Sequence, residues 1–224
     1  MQYNTMKPEA FIFDLNGTMV DDMQYHNIAW HAILNHDLNA NMTREEVARQ
    51  MYGKNEELLD RVFGKGKFTK EQVDTISMKK EKSYQAAFRP HLRLINGLPK
   101  FLEKTGQHRI KMAIGSAAIP FNIDFVLDNL HLRHYFDAII SADEVAVSKP
   151  DPETFLLAAK LLGIPPERCL VFEDAPKGVE AALRANMPCI VLTTMHEKEE
   201  FERYPNVLNY IADYTDPSLE ELYK

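Results

Sequence analysis

The hydrophobic pattern changes period twice along the chain. Phe11-Ile12-Phe13 is an apolar run of aromatic and branched residues that predicts a buried strand; it stops at Asp14, and Gly17 then allows a sharp turn. Over roughly the next seventy residues the apolar positions recur at helical spacing. Ile28, Trp30, Ile33 and Leu34 lie near one face of a first helix, for which Asp21 is the expected N-cap. Thr43 with Glu46 and Thr69 with Gln72 form capping boxes for two more. Asn55 is expected to cap a fourth, with Leu58, Leu59 and Val62 as its apolar stripe. Nothing from residue 22 to 90 alternates as a strand does, so this stretch predicts a small helical bundle.

From Gly97 the pattern becomes strand, helix, strand. Apolar runs at Ile110–Ile114, Ala138–Ile140, Cys169–Phe172 and Cys189–Leu192 alternate with helical segments such as Glu153–Leu162 and Gly178–Ala185. That alternation predicts a parallel sheet with helices on both faces. The expected fold is α/β: a Rossmann-like parallel-sheet core built from residues 1–21 and 92–224, with an all-α helical domain inserted at 22–91. There is no internal repeat and no low-complexity stretch.

Composition narrows the function classes. A hydrophobic share of 45% and a charged share of 26% are ordinary for a soluble globular protein, and 224 residues suffice for one or two cored domains. A formal net charge of −7 leaves no basic footprint for nucleic acid. Cys169 and Cys189 adjoin apolar runs and are expected as buried thiols of a reducing compartment. Met1–Glu9 lacks the basic-then-apolar pattern of a signal peptide, and no apolar stretch is long enough to span a bilayer. A cytoplasmic protein without membrane or nucleic-acid partners is expected, as a monomer or weak dimer.

The predicted strand ends carry the chemistry. Asp14, Ser116, Asp143 and the Glu173-Asp174 pair all follow strands, and a parallel sheet gathers such residues along one rim, where ligands bind. Carboxylates crowded there repel one another unless a cation joins them, and a hard divalent ion such as Mg²⁺ meets that need while drawing in phosphate. Lys149, confined by Pro150 and Pro152, is placed to add a fixed positive charge.

These residues resemble the motifs of the haloacid dehalogenase superfamily, whose signature is Asp-x-Asp-Gly-Thr. The chain reads Asp14-Leu15-Asn16-Gly17-Thr18, followed by Ser116, by Lys149 in Ser-Lys-Pro-Asp-Pro, and by Phe-Glu-Asp-Ala-Pro-Lys-Gly-Val-Glu-Ala-Ala around Glu173 and Asp174. The chain is most similar to the β-phosphoglucomutase-like branch, whose members carry a helical cap after the first strand. The resemblance implies that Asp14 attacks phosphorus to form an aspartyl-phosphate. Ser116 and Lys149 would hold the transferring group, and Asp14, the Asn16 carbonyl, Asp174 and Glu173 would form the Mg²⁺ site. Gly17, Thr18 and Ala117 in the core, with His26, Trp30, Gly53, Lys54, Asn55 and Lys80 in the cap, make up the implied substrate-binding set.

Asn16 stands where the family has its acid/base Asp. An amide forms hydrogen bonds but exchanges no proton, and loss of general acid/base help typically costs ~10²–10⁴ in rate. Three explanations stay open: an engineered trap, a natural specialisation for leaving groups that need no proton, or a substitute group such as His26 or Asp21. Deamidation at Asn16-Gly17 is expected to add only trace activity. The cap departs from the mutase as well. Asn55 and Glu56 stand where that enzyme has a Ser and a phosphate-gripping Arg, and Ala118 lacks a hydroxyl; Lys54 and Lys80 are the cations left to compensate. Trp30, Tyr52 and Phe63 are candidates for pocket lining, with core packing as the plainer alternative. The expected activity is that of a Mg²⁺-dependent phosphatase of a small, sugar-phosphate-like metabolite. A β-phosphoglucomutase-type isomerase and a variant that binds ligand without turnover are the alternatives. A dehalogenase would leave the Glu173-Asp174 pair without a purpose.

Overall fold

The opening apolar run forms β1 (Ala10–Phe13), every residue of which is fully buried in the computed structural model, which describes residues 7–224. Of the stretch Met1–Glu9, residues 1–6 lie outside the described residues. Five further strands follow: β2 (Lys111–Gly115), β3 (Ala138–Ile140), β4 (Cys169–Glu173), β5 (Cys189–Leu192) and β6 (Val207–Ile211). All pair in parallel, in the order β3-β2-β1-β4-β5-β6. The chain winds outward from β1 to β3, then returns to β4 on the other side of β1. This leaves a topological switch between β1 and β4, the crevice where such sheets bind ligands. Phe13 is in register with Ile114 and with Phe172, so Asp14 is level with Gly115 and Glu173.

The two faces of the sheet are filled differently because side chains alternate along a strand. One face is aliphatic: Ile12, Ala113, Val171 and Val191 pack with Phe155 and Ala158 of α7 (Glu153–Leu162) and with Val179 and Ala182 of α8 (Pro176–Arg184). The other face is aromatic. Phe11 and Phe13 gather with Phe172, with Phe101 of α5 (Leu98–Gln107) and with Tyr214, ring centroids 4.9–6.5 Å apart. Helix α6 (Pro120–Asn129) follows β2. The strand β6 was not foreseen. It is a half-buried edge strand with a register shift against β5, so it presents no continuous apolar run.

The chain divides into two compact units, one being the chain up to Asp21 together with Arg93–Lys224, the other Asp22–Leu92. The second is all helical: α1 (Met23–Ala32), a π-helical turn at Ile33–Asp37, α2 (Arg44–Ala48), α3 (Asn55–Phe63) and α4 (Lys70–Phe88). Both expected capping boxes form, Glu46 N donating to Thr43 Oγ1 at 3.2 Å and Gln72 N to Thr69 Oγ1 at 3.3 Å. Trp30, Ile33, Leu34, Val47, Leu58, Leu59 and Val73 make its core.

Three local expectations are corrected. Asn55 is the first residue inside α3 rather than its cap; Lys54 takes the cap position, its N–H donating to Glu57 at 3.0 Å, while the Asn55 amide turns to Glu81. Asp21 is exposed and Asp22 occupies the N-cap position of α1 without a side-chain cap bond. Ile28 points outward, 39% exposed, and His26, Ala29 and Trp30 form the inner face. Among the described residues, no helix is long and apolar enough to cross a membrane.

Candidate active site

At the switch point the strand ends bring together Asp14, Ser116, Lys149, Glu173 and Asp174, each at most 8% exposed. The Asp14 N–H completes the sheet by donating to the Phe172 carbonyl at 2.9 Å, which fixes its carboxylate beside Glu173. Lys149 Nζ donates to Asp14 Oδ1 at 2.6 Å and to Glu173 Oε1 at 2.9 Å. The loop that delivers it is held by α7: the amides of Ala146 and Val147 donate to the Glu153 carboxylate at 2.8 and 3.0 Å, and Asp151 Oδ1 accepts from the Glu153 amide. The Lys149-Pro150 peptide is cis. Ser116 continues β2, its N–H donating to Ile140, while its Oγ accepts from Ala118 N at 3.1 Å.

Two glycines make room for the acids. Gly17 has φ +79°, and a Cβ there would fall 2.1 Å from Asp174 Oδ2. A Cβ on Gly178 would fall 1.6 Å from Glu173 Oε1, so the first turn of α8 accepts only glycine against that carboxylate. Glu173 Oε2 accepts from the amides of Asp174 and Ala175, both at 2.8 Å. With Oε1 on Lys149, Glu173 is placed as an organiser of Lys149 and of the α8 entry. Asp174 Oδ1 accepts from Thr18 Oγ1 at 3.2 Å.

Electrostatics set the pair apart. Burial disfavours the charged form of Lys149, but Asp14 and Glu173 outweigh it and hold its pKa above the ordinary lysine value. Burial, then the charges of Glu173 and Asp14, push Asp174 well above the usual carboxylate range. Lys149 bonds to two of the three buried carboxylates, and Asp174, which accepts from Thr18, is the third. A divalent cation on Asp14, Asp174 and the Asn16 carbonyl fits that excess of negative charge. Among the described residues, no three His, Cys, Asp or Glu side chains converge as a ready ligand set, so a backbone oxygen has to complete it.

The remaining expected residues are distributed as follows. Asp143 lies exposed in the turn Ala142–Glu144, so the buried rim acids are Asp14, Glu173 and Asp174. Asn16 is the least buried of the signature residues, its turn closed by Gly17 N donating to Val20 O at 2.8 Å; Ala117 and Ala118 are half-buried. In the helical unit, His26, Asn55 and Lys80 share one polar network that includes three residues not singled out from the sequence: Asp22, Glu81 and Tyr84. Lys80 is not a surface lysine, being 3% exposed. Its Nζ lies 2.7 Å from His26 Nδ1 and 3.0 Å from Glu81 Oε2, and Asn55 Nδ2 donates to Glu81 Oε1 at 2.8 Å. Tyr84 stacks on His26 at 3.7 Å and donates to Asp22 Oδ2 at 2.5 Å. Burial lowers the Lys80 pKa, opposed by Glu81 and Asp22. Trp30 belongs to the apolar core, with Lys80 Nζ 5.3 Å over its ring, while Tyr52 is exposed and stacks on Arg61. Gly53, at φ +73°, precedes Lys54 at the start of α3.

Comparison with known proteins gives a consistent result. A family model described as haloacid dehalogenase-like hydrolase matches residues 11–192. The fructose-1-phosphate phosphatase YqaB of Escherichia coli is 31% identical over 192 residues, 81% of this chain and 94% of that protein. The β-phosphoglucomutase of Bacillus subtilis is 31% identical over 186 residues, 80% of each chain. Among solved structures, the β-phosphoglucomutase of Clostridium difficile superposes with a TM-score of 0.83 at 26% identity, covering 96% of this chain and 97% of that one.

Proposed function

The chain belongs to the haloacid dehalogenase-like hydrolase family, and we propose that within it this protein is a Mg²⁺-dependent phosphatase of small sugar phosphates. The observation that carries the reading is the Lys149 ammonium bound to both Asp14 and Glu173 at the switch point, with Asp174 beside them. An Asp14 oxygen forms the bond to phosphorus as the bond to the departing sugar oxygen breaks, giving an aspartyl-phosphate. Water then attacks that phosphorus, releasing phosphate and restoring Asp14. Lys149 offsets charge on the nucleophile and on the transferring group, and the Ser116 hydroxyl, accepting from Ala118, keeps its own hydrogen for a phosphoryl oxygen. Mg²⁺ held by Asp14, Asp174 and the Asn16 carbonyl would neutralise charge on the phosphoryl oxygens.

Asn16 orients but supplies no proton, so the departing oxygen leaves unaided and low-pKa leaving groups are favoured. The similarity to β-phosphoglucomutases supports a mutase as second reading. Against it, Lys80 is already paired with Glu81 and His26 rather than available for a second phosphate. Free, buried Cys169 and Cys189 fit a cytoplasmic enzyme.

The test is phosphate release from sugar phosphates and from an acyl phosphate with Mg²⁺, on this protein beside Asn16→Asp. Both forms should turn over the acyl phosphate, and the Asp form should hydrolyse sugar phosphates ~10²–10⁴-fold faster. No release by either form overturns the reading, and interconversion of hexose phosphates primed by a bisphosphate would replace it with the mutase.

A further inference from the structure

Two hydroxyls from outside the signature grip its turn. Thr194 Oγ1, in the loop after β5, donates to the Gly17 carbonyl at 2.7 Å, and the Tyr214 hydroxyl, beyond β6, donates to the Thr18 carbonyl at 3.1 Å. Tyr214 is 5% exposed, and its ring is wedged among Phe13, Phe101 and Phe172 with centroids 6.4, 5.3 and 5.7 Å away. The hydroxyl therefore has little freedom of position. Burial and the charges of Asp14 and Asp174 keep it protonated, a donor at working pH.

The backbone of Tyr214 is tied to a second segment, the one by which the chain re-enters the sheet unit at Arg93. Tyr214 N donates to Asn96 O at 2.9 Å, and Ile95 N donates to Met19 O at 2.9 Å. Leu94 bridges Val20 in antiparallel fashion. Gly97, at φ +81°, lies so close that a Cβ would fall 2.5 Å from the Tyr214 carbonyl carbon. Residues 94–97 are thus held between the end of the signature turn and Tyr214.

We propose that Tyr214 is a positioning residue for the metal and phosphoryl site, acting through Thr18 on Asp174. The inference rests on the Mg²⁺ phosphatase reading. Thr18 is gripped at both ends: its carbonyl accepts from Tyr214, and its hydroxyl donates to Asp174 Oδ1. With the carbonyl released, the peptide after Thr18 is held only through Met19 N, which donates to Leu15 O at 2.8 Å, and the Thr18 hydroxyl is less firmly positioned on Asp174. Asp174 is one of the carboxylates placed to hold the cation, and Thr18 Oγ1 donates to its Oδ1 at 3.2 Å, so a shift in its orientation acts directly on cation binding. Tyr214 touches no reacting atom in this arrangement.

The experiment is Mg²⁺ titration by calorimetry, without substrate, on the parent chain, Tyr214→Phe and Tyr204→Phe. Tyr204 is a comparably buried tyrosine, 6% exposed, whose hydroxyl is bonded to Arg203 instead. Tyr214→Phe should weaken Mg²⁺ binding about tenfold, the scale seen when a partner of a metal ligand is removed, with kcat recovering at saturating Mg²⁺ and the substrate KM unchanged. Tyr204→Phe should bind like the parent. Equal affinity in Tyr214→Phe and the parent, or an equal loss in both variants, overturns the inference alone. A parent chain that binds no Mg²⁺ overturns the phosphatase reading and this inference with it. If Tyr214→Phe does not fold, Thr18→Val breaks the same relay at the Thr18 hydroxyl and carries the same readout, an unchanged affinity again overturning the inference.

Discussion

Lys149 in the sheet unit and Lys80 in the helical unit are both almost fully buried, both beside a glutamate, yet their environments drive them in opposite directions. Lys149 has two carboxylates within 2.9 Å and is held charged; Lys80 has one carboxylate and an imidazole nitrogen, and burial prevails, lowering its pKa. A buried ammonium loses several kcal/mol of hydration, which a single ion pair does not reliably recover. The second carboxylate decides the outcome. The sheet unit therefore holds its lysine charge firmly, as phosphoryl transfer requires, and the helical unit holds its own less firmly.

Removing Lys149 should give the largest effect. Lys149→Met leaves Asp14 and Glu173 buried against each other, and phosphate release should fall by about 10³ or more for lack of the charge that offsets nucleophile and phosphoryl group. The same change should lower folding stability by about 3–5 kcal/mol, the cost of leaving buried acids without their cation, as read by urea unfolding. A variant that keeps more than a tenth of parental turnover would mean that the fixed charge is not what the site depends on.

The two lysines also differ in how far the sequence announced them. Asp14, Ser116, Lys149 and Asp174 were legible because each follows a strand, and parallel topology sends strand ends to one rim. Asp143 shares that signal and misleads, because the chain leaves β3 in a short turn that presents its side chain to water. Lys80 was legible as a cation of the helical unit, but its burial and its partners were not. Its partners Asp22 and His26 lie on α1, more than fifty positions away, and only the packing of α1 on α4 joins them. Helical periodicity tells which face is inward but not that an inward face will be charged. Tyr214 was hidden for a different reason: it follows an edge strand whose half-exposed residues carry no apolar run.

Lys80 gives a different effect, on stability alone rather than on stability and chemistry together. Lys80→Met leaves Glu81 buried without its cation, the Asn55 amide remaining on it, and should cost about 3–5 kcal/mol, whereas Lys80→Met with Glu81→Gln removes both charges and should recover most of that loss. The urea midpoints of parent, single and double variants measure the coupling. Should the double variant be no more stable than the single, the pair is not behaving as the weak partner of the comparison.

The smallest expected effect is on the pH dependence of stability, and it separates the less firmly held charge from its surroundings. Lys80 is faced by Glu81 from α4 itself, by His26 and Asp22 at the start of α1, and by Tyr84 one turn on. Because its folded pKa is lowered, the unfolded chain binds more protons at this residue between the folded value and the ordinary value of about 10.5. Stability contributed by Lys80 therefore rises with pH across that window. Tyr84 acts in the other direction: burial and Asp22 raise its pKa, so its contribution is intact below about pH 10 and is lost above it. Below about pH 10.5, across the window that the lowered Lys80 pKa opens, the parent should gain stability relative to Lys80→Met as pH rises, with a slope below ~1.4 kcal/mol per pH unit, the limit for one proton. Parallel curves for the two proteins would mean that Lys80 holds its proton as firmly as Lys149, and the second carboxylate would no longer explain the difference between them.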